Sequence, residues 1–297
     1  MFKSKKLIFY AVLLFTALLA ADLYLVFTRP KELKVIFFDV VQGDSALIKT
    51  AEGQNILIDG GPNSRVTQKL GRNLPFYNRD IDLMILTHPH ADHLTGLLDV
   101  LKRYKVKKVL MNRTEQTTAE YLEFLSLIKQ KNIPAVEAAA GLKIVLNQDL
   151  FLSVFYAGDD DWQKVYAGKN EPLDLNDTSI VFKLVSSELK VLFTGDISHN
   201  VEKYLLAQNY DLSADILKVA HHGSNLSSSV EFLKAVAPRL AVISVGAKNK
   251  FGHPGGRVIK NLKDLGVEMK RTDIDGDVVI SSKFKVQSAK LQFKIQN

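Results

Sequence analysis

The segment IDLMILTHPHADHLTGLLDVLKRY, residues 81–104, constrains the fold more than any other part of this 297-residue chain. Its first part is a near-continuous apolar run, typical of a strand buried on both faces of a sheet. Its second part places leucines three and four positions apart, as one face of an amphipathic helix does. Between them lie four side chains of types that bind metals: His88, His90, Asp92 and His93. This order predicts an α/β protein with a site at the end of a strand.

The alternation of strands and helices continues along the chain from Pro30. Short β-rich runs such as LKVIFFDV, NILIDGG, KVLFTGD, ADILKVA and LAVISVG alternate with amphipathic stretches such as TAEYLEFLSLIKQKN and GRVIKNLKDLG. DVVISS and FKVQSAKLQFKI have the composition of closing strands, and AGDDDWQKVYAGKNEPLDLNDTS that of a surface loop. No composition change after residue 31 indicates a boundary, so we predict one α/β domain at residues 31–297.

The first thirty residues are predicted to be a separate unit. Three lysines within the first six positions precede an apolar run of about twenty residues, the length that a membrane-spanning helix needs. Because the positive flank comes first, we predict a single-pass anchor at residues 1–30, with the domain outside the cytoplasm. The alternative is a cleaved signal peptide and a secreted domain. Ala20 and Ala21 are small, but the apolar run continues past them.

Composition limits the chemistry of the site. The chain has no cysteine, which excludes thiolate ligands and a cysteine nucleophile, so nitrogen and oxygen must hold any metal. The formal net charge is +7, of which +3 belongs to the first thirty residues. The remaining bias is mild. It permits an anionic partner such as nucleic acid but does not by itself indicate one.

The spacing of the histidine cluster points to a shared metal. His88 and His90 are two positions apart, so on extended backbone their side chains lie on the same side. Two imidazoles on one side can bind the same ion, whereas Asp92 and His93 follow where the chain turns into a helix and point to a neighbouring position. Four such residues in six, in a chain with seven histidines, argue against a solvated turn that carries histidines by chance.

HPHADH matches the HxHxDH signature of the metallo-β-lactamase superfamily, in the strand–turn–helix setting where that signature is specific. FFDVVQGDSALI, NDTSIVFKL, LFTGDI, ADILKVAHHGS, AVISVGAKNKFGHP and DGDVVI resemble the extracytoplasmic hydrolase domain of ComEC-type competence proteins and the related phosphorylcholine esterases. Many ComEC-type domains have aspartate where His90 stands here. The resemblance implies an αβ/βα sandwich, in which two mixed β-sheets pack together with helices outside, and a metal-dependent hydrolase.

The resemblance also implies a site for two divalent metals. Asp196, at the end of KVLFTGD, corresponds to the aspartate that bridges the two ions, and Asp59, at the end of NILIDGG, to one that supports a ligand. Many superfamily members have a further histidine between the HxHxDH cluster and the bridging aspartate, but this sequence has none between His93 and His199. His199 follows GDI at a helix start and is interpreted as an exposed side chain or a cap.

The motifs HHGS and FGHP contain the remaining candidate ligands. By resemblance to the phosphorylcholine esterases, the two ligand sets are His88, His90, Asp196 and His222 for one metal, and Asp92, His93, Asp196 and His253 for the other. His221 then stays uncoordinated beside the site, where it contacts a phosphoryl oxygen or protonates the leaving group. Asp196 and His221 are therefore the predicted catalytic residues. Which histidine of the pair binds metal stays open, and the alternative for His221 is a hydrogen bond to backbone.

Nitrogen and oxygen ligands fit Zn²⁺ and also allow Mn²⁺. Two such ions activate water for attack on phosphorus or on a carbonyl carbon. The leading hypothesis is a phosphodiesterase, with DNA as the substrate of a nuclease. Lys248, Lys250 and Arg257 are candidate phosphate-binding residues or part of a solvated loop, and no aromatic interleaving for base stacking is evident near the motifs. The alternatives are a phosphorylcholine-type esterase on cell-surface polymers and a membrane-tethered binding module without turnover. No protein partner is inferred.

Overall fold

The computed structural model describes residues 2–28, 32–75, 78–112, 114, 116–158 and 174–282. The predicted strand FKVQSAKLQFKI and most of the predicted loop AGDDDWQKVYAGKNEPLDLNDTS lie outside these residues. The described helices are α1 Phe2–Thr28, α2 Arg65–Asn73, α3 Ala91–Arg103, α4 Ala119–Gln130, α5 His199–Ala207, α6 Val230–Val236, α7 Gly256–Asp264 and α8 Thr272–Asp275. Short 3₁₀ helices span Leu175–Thr178 and Ala220–Gly223.

The described strands build two large sheets and one small one. Their bounds are β1 Lys34–Phe37, β2 Ala46–Lys49, β3 Asn55–Ile58, β4 Asp80–Ile81, β5 Leu83–Ile85, β6 Lys105–Val106, β7 Val109–Met111, β8 Ala135–Glu137, β9 Lys143–Val145, β10 Phe151–Tyr156, β11 Val181–Val185, β12 Lys190–Phe193, β13 Ile216–Lys218, β14 Leu240–Ile243, β15 Glu268–Arg271 and β16 Val278–Ser281. The first sheet has the order β16-β1-β2-β3-β5-β7-β8, the second β15-β14-β13-β12-β11-β10-β9, and β4 pairs with β6.

Both large sheets are mixed, as predicted. In the first, β3, β5, β7 and β8 run parallel to one another, whereas β16, β1, β2 and β3 pair antiparallel in that order. In the second, β12 to β15 are parallel and β9 to β12 antiparallel. The α/β class and the two mixed sheets of the predicted sandwich are therefore confirmed.

Apolar side chains hold the layers together. The inner faces of the two sheets share one core, in which the rings of Phe37 and Phe182 stack on Phe193 with centroids 5.7 and 4.9 Å apart. A second cluster joins the outer face of the first sheet to α2, α3 and α4, and a third joins the second sheet to α5, α6 and α7. Strands such as β3 are buried at every position because they face a layer on each side.

The N-terminal segment forms a single helix, α1, whose side chains at residues 9–21 are exposed. Within the described residues, no helix has both the length and the apolar character needed to cross a membrane. The membrane anchor predicted at residues 1–30 is thus unsupported by the described structure and stays a prediction.

Candidate metal centre

The predicted metal ligands lie where parallel strands of the two sheets end. The HPHADH turn follows β5, Asp59 follows β3, Asp196 follows β12, and the HHGS turn follows β13. Because the carboxyl ends of parallel strands gather at one edge of an open sheet, segments far apart in sequence meet there. Two sheets packed face to face bring two such edges together, and the candidate site lies between them.

The HPHADH turn is held against the loop between β1 and β2. His90 is the extended residue before α3, and Asp92 lies in the first turn of that helix. The backbone N–H of Asp44 donates to the carbonyl of Asp92 over 3.1 Å. Gly43 permits this approach: it has φ of 135°, and a Cβ there would lie 2.2 Å from the same carbonyl oxygen. This close approach carries the Asp44 side chain into the site.

One group of ligand atoms surrounds a single carboxylate oxygen. The Oδ2 atom of Asp196 is 3.3 Å from His93 Nε2 and 3.2 Å from His222 Nε2. His222 Nε2 is also 3.2 Å from Asp92 Oδ2. Asp92, His93 and His222 thus face one point, with Asp196 beside it.

In both imidazoles of this group, the Nδ1 atom contacts an oxygen atom of the protein. His93 Nδ1 lies 2.8 Å from Asp59 Oδ2, and His222 Nδ1 lies 2.9 Å from the carbonyl oxygen of Ser244. An Nδ1–H that donates to oxygen leaves the Nε2 lone pair free for a cation, as is usual for metal-binding histidines. Thr87 in turn donates to both oxygens of Asp59, through its N–H over 2.8 Å and its hydroxyl over 2.7 Å. Asp59 is therefore placed to hold His93, while its role in supporting a metal ligand stays a prediction.

A second group contains His88 and His90. His88 Nε2 and His90 Nδ1 are 3.1 Å apart. His88 Nδ1 is 3.1 Å from the hydroxyl of Thr87 and 3.3 Å from that of Ser179, so its Nε2 faces the site. Ligand atoms of His88, His93 and Asp196 all lie within 4.8 Å of one another. Asp196 therefore lies in the cluster of His88 and in that of His222, as a bridging carboxylate requires, whereas the clusters with metal-ligand spacing among the described residues do not include His90, which contacts His88.

The structure corrects the predicted partners of His222. This histidine joins Asp92 and His93, whereas the resemblance assigned it to His88 and His90. The reason is the backbone of HHGS, where His221 and His222 both have left-handed conformations, with φ of 49° and 53°. Two successive left-handed residues that are not glycine are rare and turn the chain in a way that residue spacing does not reveal.

His253 and His221 form a separate pair at the rim. Their ring centroids are 5.6 Å apart, and both rings are half-buried. Among the described residues, the clusters with metal-ligand spacing do not include His253, so its predicted role as a ligand is without geometric support. His199 lies at the start of α5, half-buried, with Nδ1 3.5 Å from Glu202 Oε2, away from both groups.

The residues present fit divalent metal ions. Within the described residues, three buried side-chain atoms make no hydrogen bond, namely Asp44 Oδ1, His93 Nε2 and Asp196 Oδ1. Buried polar atoms are nearly always paired, so three together in one place indicate a missing partner. The donors are imidazole nitrogens and carboxylate oxygens, which suit zinc and manganese among other divalent ions.

Without metal, protons take the place of the cations. Burial would lower the pKa of His93 and His222, but the carboxylate of Asp196 with its neighbours outweighs burial and raises the pKa of both rings well above the usual value. Burial would raise the pKa of Asp92, yet His93 and His222 lower it to about 2. Burial lowers the pKa of His88 well below the usual value. At neutral pH the metal-free site thus holds protons at two ligand nitrogens.

Metal binding should therefore release protons, about two per protein near pH 7. Because the pKa values of His93 and His222 are raised, the apparent metal affinity should increase as pH rises from 6.5 toward those values. Calorimetric titration of metal in two buffers of different ionisation enthalpy measures the protons released. A His222→Ala variant should release one fewer, and a heat independent of the buffer would contradict the protonation of both rings.

Two charged residues of the centre were missed by the sequence analysis, Asp44 and Lys218. Both are buried, their side chains are in contact, and Lys218 Nζ is 3.6 Å from Asp196 Oδ1 and donates to the carbonyl of Gly195 over 3.3 Å. A lysine inside the apolar strand ADILKVA was a usable signal, because a fully buried lysine requires a charged partner.

The predicted phosphate-binding residues differ in their surroundings. Lys248 and Lys250 are exposed, whereas one Nη2 of Arg257 donates to the carbonyls of Asn225 and Ser227, both over 2.5 Å. Arg257 thus holds the loop that follows HHGS.

An aromatic residue near the lysines was also missed. Phe251 is 58% exposed and its ring stacks on His253 with centroids 5.9 Å apart and an interplanar angle of 19°. Lys250 Nζ lies 5.7 Å from the centre of the Phe251 ring. The sequence FGHP contains this aromatic residue, but only the fold shows that its partner His253 lies beside His221, with ring centroids 5.6 Å apart.

Comparison with known proteins agrees with this geometry. The model of the family "Metallo-beta-lactamase superfamily" matches residues 38–247. ComE operon protein 3 of Bacillus subtilis, a ComEC-type competence protein, is 25% identical over 284 residues, which cover 89% of this chain and 35% of that protein. The chain therefore spans about a third of the length of this relative. Ribonuclease Z of Aeropyrum pernix is 28% identical over 102 residues, 34% of this chain and 31% of that protein.

Among solved structures, the metallo-beta-lactamase fold protein YhfI from Bacillus subtilis superposes with a TM-score of 0.56 at 12% identity, covering 84% of this chain and all of that one. This likeness shows a common fold. The family match includes the HPHADH turn, Asp196 and the HHGS turn, which the structure brings to one centre. The chain belongs to the metallo-beta-lactamase superfamily of metal-dependent hydrolases.

Proposed function

We propose that this domain is a binuclear phosphodiesterase that cleaves DNA. The observation that carries the proposal is the convergence of two sets of nitrogen and oxygen ligands on Asp196. A centre of this kind performs hydrolysis without a serine or cysteine nucleophile, and a phosphodiester needs the stabilisation of negative charge that it offers. Relatives named as a competence protein and as a ribonuclease support a nucleic-acid substrate.

The side chains around the centre have distinct tasks in this reaction. Two divalent cations held by these ligands would supply a water that loses its proton near neutral pH. Asp196 presents one carboxylate to both ligand groups, while Asp59 and the Ser244 carbonyl fix the imidazoles of His93 and His222.

His221 lies between His222 and His253, with ring centroids 6.1 and 5.6 Å away, and is the proposed substrate contact. Burial lowers the pKa of His221, so the ring is neutral at pH 7 and still has one N–H. In the proposed reaction this N–H donates to a phosphoryl oxygen and orients the phosphodiester, with a contribution of about 10²-fold to the rate.

The rim of the centre supports a nucleic-acid substrate over a smaller ester. Phe251 exposes its ring beside Lys250, and stacking on an aromatic face with neighbouring positive charge is how proteins hold single strands without sequence preference. A choline phosphate ester has no base to stack on this ring. The arrangement therefore favours a nuclease.

The test is a substrate panel with metal-loaded protein: bis-p-nitrophenyl phosphate, p-nitrophenyl phosphorylcholine, and labelled single-stranded DNA and RNA. We expect turnover of bis-p-nitrophenyl phosphate and of DNA. Phe251→Ala should raise KM for DNA by about 5- to 150-fold, the equivalent of 1–3 kcal/mol of stacking, without changing turnover of bis-p-nitrophenyl phosphate. Leu122→Ala, which removes an exposed apolar side chain from α4, is the matched control.

Each other outcome would contradict the proposal. Turnover of the phosphorylcholine ester alone would identify an esterase, and preference for RNA would identify a ribonuclease. If the protein with both metals bound turned over none of the substrates, the domain would be a binding module without catalytic activity. An equal effect of Phe251→Ala on all substrates would exclude base stacking.

We also propose, from the sequence, that residues 1–30 anchor the domain to a membrane, with the domain outside the cytoplasm. The proposal rests on the apolar run and its lysine flank. Most of the full-length protein should stay with membranes after carbonate extraction, and a protease added to intact spheroplasts should degrade it. Release of the full-length protein by carbonate, or protection from the protease, would contradict the anchor or its orientation respectively.

A further inference from the structure

Asn176 lies beside the ligand group of His88 and His90, and it was not among the predicted ligands. Its Oδ1 atom is 3.1 Å from His90 Nδ1, which is itself 3.1 Å from His88 Nε2. Three atoms with lone pairs, two imidazole nitrogens and one amide oxygen, are therefore adjacent. His93 lies in the cluster of His88 and Asp196 and also in that of Asp92 and His222, so His222 belongs to one ligand group and not to the other.

The position of Asn176 is set by local structure. It lies in the 3₁₀ helix Leu175–Thr178, where its backbone N–H donates to the Asp174 side chain over 3.0 Å and its carbonyl accepts from the N–H of Ser179 over 3.1 Å. The next residue, Asp177, accepts from the N–H and the hydroxyl of Ser198 over 2.7 and 2.8 Å. These bonds tie the short helix to the segment that carries Asp196.

Ser179 ties the same helix to the metal centre. Its hydroxyl accepts from the backbone N–H of Asp196 over 2.9 Å and lies 3.3 Å from His88 Nδ1. The helix is thus held against both the bridging carboxylate and the first imidazole. An amide carried at this place is preorganised toward the centre, because its backbone cannot move without disturbing Asp196 and His88.

We propose that the side-chain oxygen of Asn176 is a ligand of the metal held by His88, His90 and Asp196. The amide then occupies the place that a third imidazole would otherwise take. The proposal rests on the metal dependence in the proposed function but not on which ester is hydrolysed.

The donor type predicts a difference between the two metals. Amide oxygen favours harder cations such as Mn²⁺, whereas imidazole favours Zn²⁺. The group that contains Asn176 should therefore bind zinc more weakly, and tolerate manganese better, than the group of Asp92, His93 and His222. The two metals should be distinguishable in a titration.

Asn176→Ala is the direct test, measured on the full chain by calorimetry with Zn²⁺ and Mn²⁺ and by the absorption spectrum of the Co²⁺-loaded protein. We expect the weaker site to lose about 10- to 100-fold in affinity while the tighter site is unchanged, and the Co²⁺ bands of the weaker site to change. Asn176→His should strengthen zinc binding there and reverse the preference for manganese. Asn176→Asp should retain manganese, because it keeps an oxygen donor.

Asn73→Ala, which removes a side-chain amide from α2, is the matched control and should leave both sites unchanged. Unfolding of the metal-free variants shows whether the fold is retained; if Asn176→Ala does not fold, Asn176→Asp and Asn176→His carry the comparison alone. A loss of affinity in Asn176→Ala without any change in the Co²⁺ bands would show that the amide only accepts a hydrogen bond from His90, and unchanged dissociation constants would show that it has no part in the site; either result would overturn the proposal. Because these are binding measurements, failure of the proposed nuclease activity would not affect them.

Discussion

Replacement of Asp196 by alanine should lower kcat/KM for bis-p-nitrophenyl phosphate by about 10³-fold or more, which corresponds to several kcal/mol of transition-state stabilisation. The reason is that Asp196 is the residue common to both ligand groups, within 3.3 Å of His93 and 3.2 Å of His222. Its loss removes a shared anion from both metals at once. The metal content of the dialysed variant should fall in parallel.

Two further variants make the Asp196 result specific. Asp196→Asn keeps the size of the side chain, so a similar loss would show that the charge matters rather than the packing. Asp264→Ala removes an exposed aspartate from α7 and should leave the rate unchanged. Circular dichroism confirms the fold of each variant. Turnover by Asp196→Ala within tenfold of the parent protein would rule out the two-metal mechanism.

Replacement of Lys218 by methionine should lower the free energy of unfolding of the metal-free protein by about 3–5 kcal/mol at neutral pH. Lys218 and Asp44 are buried and in contact, so the variant leaves the buried Asp44 carboxylate with His222, whose Nδ1 is 3.3 Å from Asp44 Oδ1, in place of the lysine ammonium. In the parent protein burial would lower the pKa of Lys218, but the carboxylates of Asp44 and Asp196 outweigh burial and raise it, so the lysine is charged at neutral pH. Urea denaturation in the presence of a chelator measures the difference.

The double variant Asp44→Asn/Lys218→Met tests whether the loss comes from this pair. It removes both charges at similar volume. Its loss of unfolding free energy should therefore be smaller than the sum of the losses in the two single variants. Lys260→Met, which breaks an exposed pair with Asp264, should change stability little. Strictly additive losses in the double variant would show that Lys218 and Asp44 are not coupled, and would contradict the explanation.

Much of the site was predictable because its signals are local. HPHADH places four ligand-type residues between a strand and a helix, and the structure gathers them at the end of β5. Asp59 and Asp196 follow strands in the same way, and they meet because parallel strands end at one edge. The α/β class follows from the same alternation of apolar periods.

Other parts of the site depend on contacts that no local pattern encodes. Asp44 enters through the close approach of Gly43 to the HPHADH turn, and Lys218 meets it from the opposite sheet. Asn176 reaches His90 across 86 positions in sequence. In each case an ordinary polar residue acquires its role from the neighbour that packing supplies.

The sequence by itself determined the family, the alternating strands and helices, and the use of nitrogen and oxygen ligands, because these depend on residue type and short-range spacing. Only the tertiary structure decided how the ligands divide between the two halves of the centre. The two left-handed residues of HHGS turn His222 toward Asp92 and His93, while Asn176 stands beside His88 and His90. That division depends on backbone direction and on packing between two sheets, which spacing along a chain does not specify.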